Sequence, residues 1–169
     1  FIDLVLAASA ATVLSGLHAN KIWLPFVKGQ YELPEWAFIL GGTALIWLAI
    51  NALNCTDGVD SLSATLSLMA FSALGGLLYV ILGNQRIADY LLVPIAPYGA
   101  VWGMLAFSVA GALLGYLWYN APPSLLLMGD AGSRALGFLL GVLVITTGNP
   151  FVLLIVSAVL LVNGGTGLV

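Results

Sequence analysis

The stretch YGAVWGMLAFSVAGALLGYLWY, residues 98–119, runs without a single charged side chain. A helix needs about 20 mainly apolar residues to cross the hydrocarbon core of a bilayer. This stretch therefore predicts a membrane-spanning helix. It leads directly into a polar segment that holds Asn120 and Asp130.

The composition of the whole chain agrees with that prediction. Hydrophobic residues make up 62% of the 169 residues and charged residues 7%, with a mean hydropathy of +1.11. Soluble domains carry about 25% charged residues. The four Lys and Arg residues are scattered, so there is no basic surface for nucleic acid. The chain is predicted to be a helical membrane protein surrounded by a lipid bilayer.

Six apolar stretches qualify, or nearly qualify, as spans: residues 1–18, 36–53, 61–82, 98–119, 134–148 and 150–168. They predict an all-α, polytopic membrane bundle that forms a single transmembrane domain over residues 1–169. Pairs of glycines four residues apart allow helix backbones to approach closely. We expect such packing at Gly111 with Gly115 and at Gly137 with Gly141.

Two polar islands interrupt these spans. The first island is NALNCTDGVDSLS, residues 51–63, and the second is LWYNAPPSLLLMGDAGS, residues 117–133. An ionised carboxylate is costly against hydrocarbon, so it is kept where it reaches water, a partner or a metal. Two successive spans return the chain to the same face of the membrane. The islands are therefore predicted to lie on one side, where they can converge.

The first island combines carboxamides and carboxylates beside a turn. Asn51 and Asn54 are three residues apart, which places them on one helix face. Asp57 and Gly58 predict a turn, and Asp60 stands where the N-cap of the next helix belongs. For Asp60 alone, capping and a functional role remain equal alternatives. Together these groups suit hydrogen bonds to a ribose and a base, or contact with a phosphate-bound metal.

The second island ends in a potential metal ligand. Pro122 and Pro123 are predicted to stop the preceding helix, and Gly129 permits close approach to the backbone. Asp130 stands at the start of the next helix, where it is a cap or an oxygen ligand suited to Mg²⁺. Free N–H groups at a helix start favour phosphate oxygens. Because no lysines cluster here, a metal is the expected counter-charge for a diphosphate.

Both islands carry a family resemblance. NALNCTDGVDSLS aligns without a gap to the pattern NAxNxTDGxDGLA, and LWYNAPPSLLLMGDAGSRALG to LWFNxxPAxVFMGDxGSLALG. These patterns are typical of the polyprenyl-phosphate N-acetylhexosamine-1-phosphate transferases, and the chain resembles most the branch that transfers phospho-N-acetylmuramoyl-pentapeptide. The resemblance implies Mg²⁺-dependent transfer of this group from its UDP-sugar to undecaprenyl phosphate. UMP is released, and the product is the first lipid-linked peptidoglycan precursor.

The resemblance also implies a setting and residue roles. It implies a homodimer of ten-span chains in the bacterial cytoplasmic membrane, with a cytoplasmic active site that nucleoside antibiotics target. Asp130 would be the Mg²⁺ ligand, and Asp57 would join it as a catalytic residue. The implied nucleotide-binding set is Asn54, Asp57, Gly58, Asp60, Asn120 and Gly129. Ser61 replaces a family glycine, and Leu127 replaces a phenylalanine expected to stack on uracil, so that stacking is not carried over.

The resemblance covers about the middle half of the family's length. The family's paired aspartates belong before Phe1 and its His-rich loop after Val169. We therefore expect the 169-residue stretch by itself to be inactive. The positive-inside rule would put the islands outside, because three cations (Lys21, Lys28 and Arg86) lie opposite them and only Arg134 lies with them. The implied chemistry puts the islands on the cytoplasmic side instead.

Three alternatives remain at this point. The first is the sister branch that transfers GlcNAc-1-phosphate. The second is a transporter or channel fragment, whose acids would lie in the middle of spans rather than at their ends. The third, a structural membrane subunit, leaves the convergent Asn and Asp residues unexplained. Binding of a uridine nucleotide separates the transferases from the other two.

Overall fold

The structure is a computed structural model that describes residues 2–17, 21–23, 30–96 and 98–166. It is a bundle of helices with one short hairpin. In chain order its elements are α1 (Ile2–Gly16), β1 (Lys21–Trp23), β2 (Gln30–Glu32), α2 (Glu35–Thr56), α3 (Leu62–Gly76), a π-helical continuation of α3 (Leu77–Leu82), α4 (Gln85–Leu91), α5 (Gly99–Asn120), α6 (Gly129–Thr146), α7 (Phe151–Val156) and α8 (Ala158–Thr166).

Within these described residues, four helices are long and apolar enough to cross a membrane. They are α2, α3 with its continuation to Leu82, α5 and α6. The all-α, polytopic membrane class is thereby confirmed, and the chain is a multi-pass membrane protein. The first predicted span corresponds to α1, which is apolar but shorter.

The sixth predicted span is wrong as a single helix. The structure breaks it at Ser157 into α7 and α8. The Ser157 backbone leaves the helical region, at φ −122° and ψ 25°, and its Oγ donates to the Leu153 carbonyl at 2.5 Å. A serine that bonds to the carbonyl four residues back is known to bend helices.

Close helix contact is confirmed for one glycine pair and not for the other. A Cβ at Gly137 would lie 2.6 Å from Ile50 Cα, and one at Gly141 would lie 2.8 Å from Ile46 Cα. These glycines therefore let α6 pack directly on the α2 backbone. At Gly111 and Gly115 nothing in the described chain lies within 4 Å of such a Cβ. Their face of α5 has no partner within the described residues.

The end of the bundle opposite the islands holds structure between the predicted spans. β1 and β2 form an antiparallel ladder in which Lys21 pairs with Glu32. Trp23 fixes this hairpin to the end of α6, since its N–H donates to Gly148 at 3.0 Å and its Nε1 to Thr147 at 2.9 Å. Helix α4, which carries Arg86, lies between the third and fourth predicted spans. Lys28 lies outside the described residues.

The fifth span begins earlier than predicted. Helix α6 starts at Gly129 rather than at residue 134, so Asp130 lies inside its first turn. Helix α5 ends at Asn120, just before the two prolines, as predicted. The ends of α2 and α5 and the starts of α3 and α6 thus surround the two islands.

Candidate functional site

Asn120 joins the two islands directly. It is the last residue of α5 and its side chain is almost fully buried, with 4% exposure. Its Oδ1 accepts a hydrogen bond from the Ser61 N–H at 2.8 Å. Its Nδ2 donates to the Leu126 carbonyl at 2.7 Å. One carboxamide therefore holds the first island against the loop of the second.

A second bond links the islands through Asn54. Its Nδ2 donates to Ser133 Oγ at 3.1 Å, and Ser133 is completely buried in α6. The same hydroxyl lies 3.2 Å from the Gly129 carbonyl and 3.3 Å from the Asp130 carbonyl. Ser133 thus couples the end of α2 to the first turn of α6. The prediction that the islands converge on one side of the bundle is confirmed.

Asn51 and Asn54 form different hydrogen bonds. Asn51 Nδ2 donates to the Trp47 carbonyl of its own helix at 2.7 Å. Asn54 instead uses its amide nitrogen between helices. Within the described chain no hydrogen bond reaches Asn54 Oδ1, so this oxygen is available to a ligand.

The turn predicted at Asp57 and Gly58 is present. Asp57 is the C-cap residue that follows α2, and its Oδ1 accepts a hydrogen bond from Ser63 Oγ in the first turn of α3. The left-handed residue is Ser61, at φ 60° and ψ −10°, rather than Gly58. That conformation suits glycine, which is the residue of the family pattern at this place.

Asp60 does not cap α3. The residue before the helix is Ser61, and no side chain caps it. The carboxylate of Asp60 makes no hydrogen bond within the described residues, and Asp60, Val59 and Gly58 are all exposed. Capping is therefore excluded as an explanation for Asp60, and its carboxylate is open to a ligand.

Helix α6 begins with an open backbone and an exposed carboxylate. Gly129 has a φ of +68°, and nothing lies within 4 Å of the place where a Cβ would be. The Asp130 side chain is 83% exposed, and its Oδ2 lies 3.7 Å from Arg134 Nη2. The first N–H groups of a helix have no partner within it. Negative ligand groups are favoured at such a place.

The donor set in this stretch fits a metal that is shared with a ligand. Among the described residues, no three His, Cys, Asp or Glu side chains are grouped closely enough to hold a metal ion. Mg²⁺ is commonly held by one or two carboxylates together with substrate phosphates and water. The exposed carboxylate of Asp130 would fit that mode of binding. A site built from protein side chains alone does not form among the described residues.

Four contributors to this region were missed by the sequence analysis: Asp3, Ser63, Ser133 and Arg134. Arg134 could have been found, because it stands four residues after Asp130 and such pairs interact on a helix. Asp3 had no signal, since it lies far away in the sequence and meets Arg134 only in the folded chain. Ser63 and Ser133 are small polar residues inside apolar helices, and spacing does not single them out.

Comparison with known proteins gives a consistent result. The family described as Glycosyl transferase family 4 matches residues 1–148. The chain is similar to the phospho-N-acetylmuramoyl-pentapeptide-transferase of Treponema pallidum (strain Nichols), with 50% identity over 99% of this chain and 47% of the relative. The enzyme of the same name from Bartonella quintana (strain Toulouse) is 35% identical over 96% of this chain and 46% of the relative. The chain spans about half the length of these relatives.

Proposed function

The chain belongs to glycosyl transferase family 4, and from this membership we propose that the full-length protein is a phospho-N-acetylmuramoyl-pentapeptide transferase. It would transfer this group from the UDP-sugar to undecaprenyl phosphate and release UMP. The observation that carries the proposal is the bonded pair of islands, in which Asn120 and Asn54 bring Asp57, Asp60 and Asp130 to one end of the bundle.

The first island is proposed to bind the nucleoside part. Asn54 offers its free Oδ1, and the exposed turn offers the Gly58 backbone and the Asp60 carboxylate. These acceptors suit the hydroxyl groups of a ribose and the N–H of a uracil ring. Asp57 is less exposed and is held by Ser63, so it is a rigid carboxylate at the edge of the site.

The second island is proposed to bind the diphosphate. Asp130 would hold Mg²⁺, which when bound would offset negative charge on the diphosphate. The Gly129 backbone lies open beside it. Asn120 has both ends of its carboxamide engaged by the islands, so its contribution to nucleotide binding would be to hold the two parts in register.

The reaction is a phosphoryl transfer between two phosphates. An oxygen of the lipid phosphate attacks the sugar-bound phosphorus of the UDP-sugar, a new P–O–P bond forms, and the bond to UMP breaks. Catalysis of this kind rests on positioning and charge stabilisation. The islands are proposed to face the cytoplasm, in a homodimer in the bacterial inner membrane, where nucleoside antibiotics would compete for the uridine site.

The proposal is tested by following UMP release from the purified full-length protein. We expect release only when the UDP-N-acetylmuramoyl-pentapeptide, undecaprenyl phosphate and Mg²⁺ are all present. UDP-GlcNAc in place of the pentapeptide substrate is the matched control and is expected to release none. Release from UDP-GlcNAc alone would assign the chain to the sister branch. Failure to bind any uridine nucleotide would contradict the transferase proposal.

A further inference from the structure

Arg134, in the first turns of α6, lies between the carboxylate of Asp3 in α1 and that of Asp130 in α6. Its Nη1 donates to Asp3 Oδ2 at 2.8 Å, and its Nη2 lies 3.7 Å from Asp130 Oδ2. The Asp3 side chain is only 18% exposed, whereas that of Arg134 is 44% exposed. The guanidinium is therefore fixed from the α1 side and open toward the second island.

The two contacts are not equivalent. The distance to Asp3 is that of a charge-assisted hydrogen bond, and the distance to Asp130 is too long for one. A guanidinium has five N–H donors, and within the described chain Asp3 is the only acceptor that Arg134 bonds. The edge next to Asp130 therefore keeps donors for another anion.

At this cation the chain departs from the quoted family pattern. The family pattern that the second island resembles reads GSLALG, and the chain reads GSRALG at residues 132–137. A leucine at this place could form neither the hydrogen bond to Asp3 nor the ion pair with Asp130. Arg134 thus places a positive charge one helical turn from Asp130, the proposed metal ligand.

We propose that Arg134 is a second diphosphate-binding group of the nucleotide-sugar site, oriented by Asp3. The inference rests on the proposed function, because it takes the islands as the site of a uridine diphosphate sugar. An arginine binds phosphate oxygens through two parallel N–H groups. If Asp130 held a metal, the Nη2 edge of Arg134 would lose its only carboxylate neighbour on α6 and could bind a phosphate oxygen. Asp3 acts as a positioning residue, since it holds the opposite edge of the guanidinium.

The test compares the affinities of uridine, UMP and UDP for the full-length protein by calorimetry, in EDTA and in Mg²⁺. In Arg134→Leu the affinity for UDP is expected to fall about tenfold or more, because a hydrogen-bonded charge pair is lost. The affinity for uridine, which has no phosphate, is expected to stay within about twofold. Asp3→Asn should give a smaller loss that is again confined to the phosphate-bearing ligands. Arg86→Leu, on the exposed surface of α4, is the matched control and should change neither affinity.

Two results would overturn the assignment while leaving the proposed function intact. The first is an unchanged UDP affinity in Arg134→Leu. The second is an equal loss for uridine and UDP, which would make Arg134 a structural tie between α1 and α6. If the leucine variant does not fold, Arg134→Gln carries the same comparison. A wild-type protein that binds none of the three ligands would instead overturn the proposed function, and this inference with it.

Discussion

Asp130→Asn in the full-length protein is expected to reduce Mg²⁺-dependent UMP release by about 100-fold or more, because the neutral amide is a much poorer magnesium ligand. The effect should fall on turnover and on Mg²⁺ affinity together. The side chain is 83% exposed, and its one charge contact within the described residues is long, so the variant should fold normally. Loss of activity would then report on chemistry and not on stability.

The matched control for this variant is Asp89→Asn. Asp89 is an exposed aspartate in α4, at the end of the bundle opposite the islands. Its replacement removes the same charge and should leave UMP release unchanged. Activity retained in Asp130→Asn would remove the proposed metal role. Equal losses in both variants would show that net charge, rather than the second island, controls the rate.

Asn120→Ala is expected to lower both stability and activity. It leaves the Ser61 N–H without its partner. Among the described residues, the Leu126 carbonyl keeps only the 3.4 Å hydrogen bond from the Tyr116 hydroxyl. An unpaired polar group costs about 1–3 kcal/mol when buried. We expect a free energy of unfolding lower by about 2 kcal/mol or more. Because the islands lose their register, UMP release should fall on the order of 100-fold. Denaturant titration and the release assay measure the two effects.

Asn120→Asp separates the two hydrogen bonds. The retained Oδ1 can still accept from Ser61, but the second oxygen would face the Leu126 carbonyl, so repulsion replaces a bond. Its loss of stability should equal or exceed that of the alanine variant. Ser108→Ala in the same helix is the control, because this exposed serine bonds only to its own helix. A stable, active Asn120→Ala protein would contradict the role of this residue as the link between the islands.

Hydropathy and the parity of spans were enough to predict how the islands meet. Each pair of spans returns the chain to one face, and the Asn54–Ser133 and Ser61–Asn120 bonds confirm the result. Close helix packing at Gly137 was likewise predicted from residue spacing, because a missing Cβ lets another backbone approach; the structure shows that the partner is α2. Composition and residue spacing predict the convergence of the islands and the helix packing because a bilayer allows few arrangements of apolar helices.

Other features depend on contacts that no local pattern encodes. The β hairpin is fixed by bonds from Trp23 to the distant end of α6. The helix break at Ser157 lies within an unbroken apolar run, where nothing in the local pattern marks it. The sequence predicted Asp60 at the N-cap position of α3, but the residue before α3 is Ser61, in a left-handed conformation. The pairing of Arg134 with Asp3 joins residues that are 131 positions apart in the sequence.

The central claim is that both islands form one uridine-diphosphate site on a single membrane face. It is tested by maleimide labelling of Val59→Cys and Leu127→Cys, both exposed, in a Cys55→Ala background, with Tyr90→Cys as the opposite-face control. In sealed vesicles a membrane-impermeant maleimide should reach both island cysteines from the same side and Tyr90→Cys from the other. UDP with Mg²⁺ should slow both island reactions. Labelling of the islands from opposite sides, or protection of only one of them, would contradict the account.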